Sequence, residues 1–413
     1  MSSRRLLPVC ASAALLGGVS CSLLWDPNAR RSDEGASGIG GTFLDASSGG
    51  TAGVGGAGGS GGASGGSGGS TDGGSDADGG CPAGFASCTT ASGCETFVVT
   101  DPVNCGSCGR DCQGTACSDG KCAPVLLGTF PGAASGSSYV TYVRLHGGHL
   151  YAAKTGDGGD VYRVENPDSA APGSLTPLQA GYSAFDALPL SNGVLFTTFS
   201  GTYALGAGPA QLLHPKGWSF GRDGDDVLVD GAVFAVAELE AFIGGAGGAP
   251  APTSAFTSTS PSAARHSGVT CWTFQTPPPH HVRCSSWLQN LSSPALPPPY
   301  FLVMDGERVY WGTQPFSGTN GGLYSAPLNP AGQPTATPIL EATRGVAAIA
   351  LEGPSVYFAV QTLGSGIGEI QRAPRAGGTA EVLSSGYERV FGVAVDSTFV
   401  YYSADNAVYR VAR

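Results

Sequence analysis

The stretch GVAVDSTFVYYSADNAVYRVAR, residues 392–413, decides how the rest of the chain is read. Val393 and Val395 alternate with small residues, Asp396-Ser397 turns the chain, and Val400-Tyr401-Tyr402 runs back. Asp405-Asn406 turns it again, and Val408 to Val411 closes a third strand. The same text recurs upstream. An aromatic anchor inside a β-branched run appears at Tyr151, Phe196, Phe234, Trp272, Tyr310, Tyr357 and Tyr401, at intervals of 45, 38, 38, 38, 47 and 44 residues.

A turn starts five residues before most anchors: His146-Gly147, Ser191-Asn192, Asp305-Gly306, Glu352-Gly353 and Asp396-Ser397. Asp230-Gly231 starts four ahead, and the Trp272 unit shows the turn poorly. Third strands are expected at Asp160 to Val164, Gly322 to Ala326, Glu369 to Ala373 and Ala407 to Val411. Short fourth strands are expected at Gln211 to Leu213, Pro338 to Leu340 and Glu381 to Leu383. Four short strands in each repeated unit of about 40 residues make an all-β propeller. Units of a β-sandwich array would run to about 100 residues. No window sustains 3.6-residue apolar spacing long enough for a packed helix. Seven anchors give seven four-stranded blades, with six or eight as the neighbouring possibilities.

The last unit stops at Arg413 after its third strand. Pro124 to Phe130 reads as a fourth strand that lacks its first three. It is expected to complete the last blade and close the ring, which removes the exposed edges of an open sheet. GVAVD at 392–396 and VYYSAD at 400–405 resemble the YWTD and NHL classes of propeller. Val309-Tyr310-Trp311-Gly312 is a partial copy, and the middle units depart strongly. The resemblance implies the fold class more firmly than the blade count.

Residues 81–122 hold eight cysteines, Cys81, Cys88, Cys94, Cys105, Cys108, Cys112, Cys117 and Cys122. So small a segment cannot build a core unaided, and an even count in an exported chain argues for disulfides. Eight cysteines allow 105 pairings, and the sequence does not choose among them. Asn104-Cys105-Gly106-Ser107-Cys108-Gly109-Arg110-Asp111-Cys112 resembles the NCGxCGxxC signature of stigma-specific-type Cys-rich modules. Similar modules stand beside propellers in lipoproteins of myxobacteria. Gly106 and Gly109 suit tight turns at positive φ. Cys105-x-x-Cys108 has zinc-ligand spacing, but a second such pair and a histidine are both missing from the module. A redox role for this pair would need a thioredoxin-like βαβ context, which is lacking.

At the N-terminus, Arg4-Arg5, the apolar run Leu6 to Val19, and Ser20-Cys21 read as a bacterial export signal. The run is too short to span a bilayer as a stable helix. Val19-Ser20-Cys21 resembles a lipobox, with Gly18 where that family usually has Leu. The resemblance implies acylation of Cys21, palmitate included; the other reading is an ordinary secretory signal with a cysteine nearby. If Cys10 leaves with the signal and Cys21 takes lipid, ten of the 12 cysteines remain, and all can pair. Ser22 in place of a retention Asp points to the outer membrane or cell surface. From about Gly35 to Gly80 the chain is Gly, Ser, Ala, Thr and Asp with almost no large apolar side chains, too few to offset ordering entropy. The expected organisation is therefore a signal over 1–20, a lipid-anchored tether over 21–80, a disulfide module over 81–122 and a propeller over 123–413. The GxSxG around Gly66-Ser67-Gly68 and the glycines at 55 and 58 have no flanking strand or helix, so they carry no chemistry.

The net charge is −11, and Lys plus Arg number 20 without a cluster, a poor match to nucleic acid or anionic lipid headgroups. Cys271 and Cys284, the two propeller cysteines, are expected to form a cross-strand disulfide. His280 and His281 between them leave zinc as the alternative. Asp230, Asp305, Glu352 and Asp396 sit at turns, where a carboxylate caps its own backbone, rather than forming a metal-binding ring. His146, His149, His214 and His266 are scattered singly, and Asp157 to Asp160 reads as a hairpin turn rather than a calcium loop. Tyr300, Phe301, Trp311 and Phe316 could serve a sugar or protein ligand, or blade packing alone. No catalytic residue, metal or cofactor is assigned. The sequence thus predicts a monomeric, non-enzymatic envelope lipoprotein whose propeller binds a protein or polysaccharide, touching the membrane only through its lipid. The alternative is an extracellular metal-dependent propeller enzyme, a lactonase-like hydrolase or a lyase.

Overall fold

The computed structural model describes residues 81–413 apart from 90–92, 132–139, 157–159, 170–174, 180, 216–219, 230–231, 256–261, 275–280, 288–289, 293–298, 314–320, 342–344 and 362–366. The expected signal, the expected acylation site Cys21 and the expected tether lie outside the described residues, as do Asp230, His280, Phe316 and Asp157.

Seven four-stranded antiparallel sheets form the propeller. Blade one is Val140–His146, His149–Lys154, Val161–Glu165 and Leu175–Gln179; blade two is Asp186–Leu190, Gly193–Thr198, Gly201–Leu205 and Gln211–His214. Blade three is Phe220–Asp223, Asp226–Val229, Ala232–Ala235 and Ser254–Ala255. Blade four is Ala263–His266, Val269–Phe274, His281–Cys284 and Leu291–Ser292. Blade five is Pro299–Met304, Arg308–Thr313, Gly322–Pro327 and Thr337–Glu341; blade six is Gly345–Glu352, Ser355–Gln361, Gly368–Pro374 and Glu381–Tyr387. Blade seven joins Val390–Val395, Phe399–Ala404 and Ala407–Ala412 to Val125–Thr129 from the other end of the propeller sequence.

That last pairing closes the ring as expected. Val408 lies opposite Gly128 and Tyr409 opposite Leu126. The Phe130 amide donates to the Asn406 carbonyl at 3.0 Å, and Asn406 Nδ2 donates to the Phe130 carbonyl at 2.7 Å. Leu127 and Phe130 are buried in the core shared by blades seven and one. Burying a side chain of Leu size contributes about 1.5–3 kcal/mol.

Second strands read apolar on both faces because a neighbouring blade covers each face; Phe399–Ala404 is buried at all six positions. Cross-strand aromatic pairs stack between strands two and three: Phe196 on Tyr203, Trp311 on Tyr324 and Tyr402 on Tyr409. Each pair is directly opposite in register. Such pairs add about 0.5–1.5 kcal/mol beyond their area.

Two expectations need correction. In blade three, Phe234 lies on the third strand, opposite Val227, while the first turn is Gly224-Asp225 and the second strand is the aliphatic Asp226–Val229. The aromatic signal drew the reading one strand late. A helix also packs where none was expected, over Val236–Ile243. Val236, Leu239, Phe242 and Ile243 form its buried stripe, which sits on Leu188, Leu190 and Leu195 of blade two. Its eight residues fall below the length at which period alone identifies a helix. Its packing demands small neighbours: a Cβ at Gly206 would stand 2.3 Å from the Ile243 carbonyl.

In the module, Cys81 pairs with Cys94, Cys88 with Cys108, Cys105 with Cys117 and Cys112 with Cys122. Gly106 and Gly109 both take φ of 76°, and a Cβ at Gly106 would stand 2.4 Å from the Gly120 carbonyl. The module is seated on the propeller rather than strung before it. Cys105, Cys112, Cys117 and Cys122 share one apolar cluster with Ile370, Leu383, Tyr387 and Val390 of blades six and seven. Buried Arg110 ion-pairs with Glu381 on the outer strand of blade six, and Arg372 Nη2 bonds the same carboxylate at 2.5 Å.

Candidate binding face and channel

Antiparallel alternation puts every turn between strands one and two on one face of the disc. The connections between strands two and three, and those between blades, fall on the other. The one-to-two turns on the first face are two or three residues long in all seven blades, and the three-to-four connections that share that face run from five residues in blade two to 18 in blade three, where they include the helix Val236–Ile243. On the second face the two-to-three connections run to six residues in blades one, four and six and to eight in blade five. Longer connections on a rigid scaffold are where recognition residues accumulate. Blade two presents an aromatic pair there: Phe199 is 56 % exposed and meets Phe185 edge-on at 4.2 Å between ring centroids.

The innermost strands supply the polar centre. Arg144 of blade one donates from Nε to Asp186 Oδ1 at 3.0 Å and from Nη2 to Oδ2 at 2.8 Å. The same Nη2 reaches the Phe220 carbonyl of blade three at 3.2 Å, so the guanidinium lies inside the ring. The Phe220 amide returns a bond to Asp186 at 3.1 Å. Asp186 is fully buried, and the Tyr142 ring lies 4.8 Å beneath the guanidinium carbon. Burial disfavours the Arg144 charge, but Asp186 more than offsets it and holds the pKa above the ordinary value. Burial and then Asp186 push the Tyr142 hydroxyl up to about 12. The group is a bidentate ion pair beside a phenol, fitted to orient a polar ligand and to tie three blades together. The sequence reading missed it, because partners 42 residues apart on different blades leave no spacing signal.

The residues singled out from the sequence are dispersed. Asp305 Oδ1 accepts from the Glu307 and Arg308 amides, and Oδ2 accepts from the Tyr310 hydroxyl at 3.0 Å. Asp396 repeats this with Thr398, Phe399 and the Tyr401 hydroxyl at 2.9 Å. The five-residue spacing from turn to anchor thus lets one carboxylate hold its turn and its tyrosine. Glu352 instead faces Arg413 at 3.5 Å. Cys271 and Cys284 are opposite in register and disulfide-bonded, with His281 at the start of the strand that carries Cys284.

His149 Nδ1 lies 2.7 Å from Glu165, His146 faces His149 across the hairpin, His214 meets Phe234 edge-on, and His266 lies against Gly306. Asp160 accepts from the Tyr162 hydroxyl and the Gly181 amide. Trp311 is buried in its stack, Phe301 packs against the core between blades five and six, and Tyr300 lies 6.3 Å from Phe301.

No protein-family profile matches the chain, and no curated protein sequence matches it. Similar solved structures include β-propeller domains. A computationally designed protein, Ika8, shares 12 % identity over 70 % of this chain and 99 % of its own, with a TM-score of 0.46. The WD40 propeller domain of Doa1 shares 13 % over 70 % and 97 %, with a TM-score of 0.46. A virginiamycin B lyase from Staphylococcus aureus shares 9 % over 70 % and 98 %, with a TM-score of 0.39. Among the described residues no helix is long and apolar enough to cross a membrane.

Proposed function

We propose that the chain is an exported, lipid-anchored recognition propeller without catalytic activity, binding a protein or polysaccharide of the cell envelope. The observation that carries this reading is the exposed Phe199 ring set edge-on against Phe185, on the face where the two-to-three connections of four blades run to six or eight residues. Five disulfides suit an oxidising compartment. Cys21 after its apolar run supplies the anchor, and residues 35–80 the reach. The acidic balance keeps nucleic acid and anionic lipid away from a monomeric disc.

Co-sedimentation of the full chain with purified envelope polysaccharide, and in parallel with envelope protein freed of polysaccharide, tests the reading. Binding to one fraction, weakened roughly tenfold or more by Phe199→Ala, is expected. Binding to neither fraction, binding indifferent to substitutions on that face, or turnover dependent on a retained metal would overturn it.

A further inference from the structure

The two-residue turn of blade two joins an exposed ring to a fixed row of hydroxyls. Phe199 and Ser200 close the hairpin between Gly193–Thr198 and Gly201–Leu205, and both are exposed. The ring is held in place from below. Phe185 meets it edge-on at 4.2 Å, and the Phe185 amide donates to the Thr197 carbonyl at 2.8 Å, so both rings ride on the paired inner strands. The Ser200 amide donates to Thr198 Oγ1 at 3.1 Å and fixes the turn itself. A platform ordered before binding loses little freedom when a ligand arrives.

The hydroxyls beside the ring have a direction. Thr198 Oγ1 donates to the Gly201 carbonyl at 3.1 Å, which commits its one proton. Its 3.0 Å contact with Ser200 Oγ is then a bond donated by Ser200. The 3.0 Å contact between Ser200 Oγ and the Tyr203 hydroxyl is in turn donated by the phenol. A hydroxyl carries one proton and two lone pairs, so this row has no proton left to give. Ser200 and Tyr203 keep unused lone pairs, which only a donor can meet. Carboxylates and phosphates accept and do not donate, so they are poor partners for this row. The turn and its two strands, residues 193–205, contain no charged side chain, and the chain as a whole carries −11. The nearest ion pair, Arg144 with Asp186, is closed on itself by two bonds. The matching ligand is therefore neutral and rich in O–H groups.

Size narrows the class further. A stable protein interface buries about 800 Å² on each partner around an apolar centre. Among the described residues of this face, the other strongly exposed large apolar side chain is Ile367, on blade six and not beside blade two. One ring edged by acceptors is the footprint of one sugar. A pyranose offers a face of polarised C–H groups, which packs on the negative face of an aromatic ring, and a rim of hydroxyl donors. We propose that the Phe199 turn is a subsite for one neutral sugar of an envelope polysaccharide. The pyranose C–H face lies on the Phe199 ring, and its hydroxyls donate to Ser200 and Tyr203. This rests on the recognition reading above and names the ligand class for it.

For the test, purified envelope polysaccharide is split by anion exchange into neutral and acidic fractions, and each is cut to oligosaccharides and titrated calorimetrically into the full chain. The neutral fraction should bind, with an affinity that changes less than about twofold between low and high salt. Phe199→Ala should weaken it about tenfold or more, and Phe199→Trp should keep it. Ser200→Ala should weaken it about threefold. Magnetisation transfer from aromatic protons to sugar C–H protons should appear with the parent and vanish with Phe199→Ala. Thermal unfolding of these exposed-turn variants should match the parent, so that a loss reports the contact. Binding by the acidic fraction alone, or equal losses in Phe199→Ala and Phe199→Trp, would overturn the sugar subsite. Binding to envelope protein alone would overturn it as well while leaving the recognition reading standing, and binding to no fraction would overturn both.

Discussion

Blades five to seven and blades one to four join their neighbours by different means. In blades five and six a carboxylate at the first turn also serves the next blade. Asp305 holds its turn and Tyr310, then receives Arg375 of blade six at 2.8 Å; Glu352 of blade six faces Arg413 of blade seven. In the second group Asp223 repeats that device, and the other described junctions are individual. Arg144 and Asp186 bind three blades through the channel, Asp223 of blade three accepts from the Ser267 and Gly268 amides of blade four, and the helix 236–243 lies against blade two. Regular repetition gives many modest contacts, whereas the irregular half concentrates its hold in a few buried groups. Single substitutions should therefore cost more in the irregular half.

The largest expected effect tests the ring that both halves share. Deleting residues 123–130 strips blade seven of its outer strand and exposes the edge at Ala407–Ala412. Cooperative thermal unfolding should be lost or fall to a far lower midpoint; an unchanged transition would mean that blade seven does not depend on this strand.

Asp186→Ala comes next. It leaves Arg144 with an unanswered charge in the channel, and removing one partner of a buried pair costs about 3–5 kcal/mol. Urea unfolding should show this, and Arg144→Ala/Asp186→Ala should cost less than the two single changes together. Full additivity would separate the two residues and remove the channel junction from the comparison.

Cys271→Ser/Cys284→Ser sharpens the same contrast within blade four, where the described part of the outer strand is only Leu291–Ser292. Opening a loop with a sequence separation of 13 should cost about 3 kcal/mol. Loss of less than about 1 kcal/mol would show that strand pairing alone holds that blade.

The smallest effect belongs to the regular half and is read through pH. Burial pushes the Asp305 carboxyl up, but the Glu307 and Arg308 amides, the Tyr310 hydroxyl and Arg375 outweigh it, so its pKa lies below the ordinary 3.8. A depressed carboxyl pKa contributes stability that is complete above the unfolded value and lost as pH falls through the folded one. Asp305→Asn should therefore cost about 1 kcal/mol at neutral pH. The variant should also lose less stability than the parent between neutrality and pH about 2. Parallel acid profiles for parent and variant would remove Asp305 from the junction.

How far each half was legible follows from the same difference. In blades five to seven, strand, turn and anchor all lie within one short stretch, so Asp396, Val400 and Tyr401 announced a blade by local spacing. The Arg residues opposite the anchors tell a similar story. Tyr151 faces Arg163, Trp272 faces Arg283, Tyr357 faces Arg372 and Tyr401 faces Arg410, a cross-strand pattern visible once the register is known. In blade three, an aliphatic second strand and an aromatic third reversed the usual signal. The helix VAELEAFI was too short for its period to stand out, although Gly244 and Gly245 after it are ordinary helix-ending residues.

By itself, then, the sequence determined the repeated strands and turns outside blade three, the propeller architecture with seven blades chosen over six or eight, and the strand that closes the ring. Those follow from side-chain period and turn chemistry, which are properties of neighbours along the chain. The tertiary structure alone decided which cysteines join and the seating of the module on blade six. It alone brought Arg144 to Asp186, and Cys105 to Cys112 and Cys122. Each of these depends on packing between distant segments, where the free energy of burying a charge or a sulfur is set by groups that the local sequence does not contain.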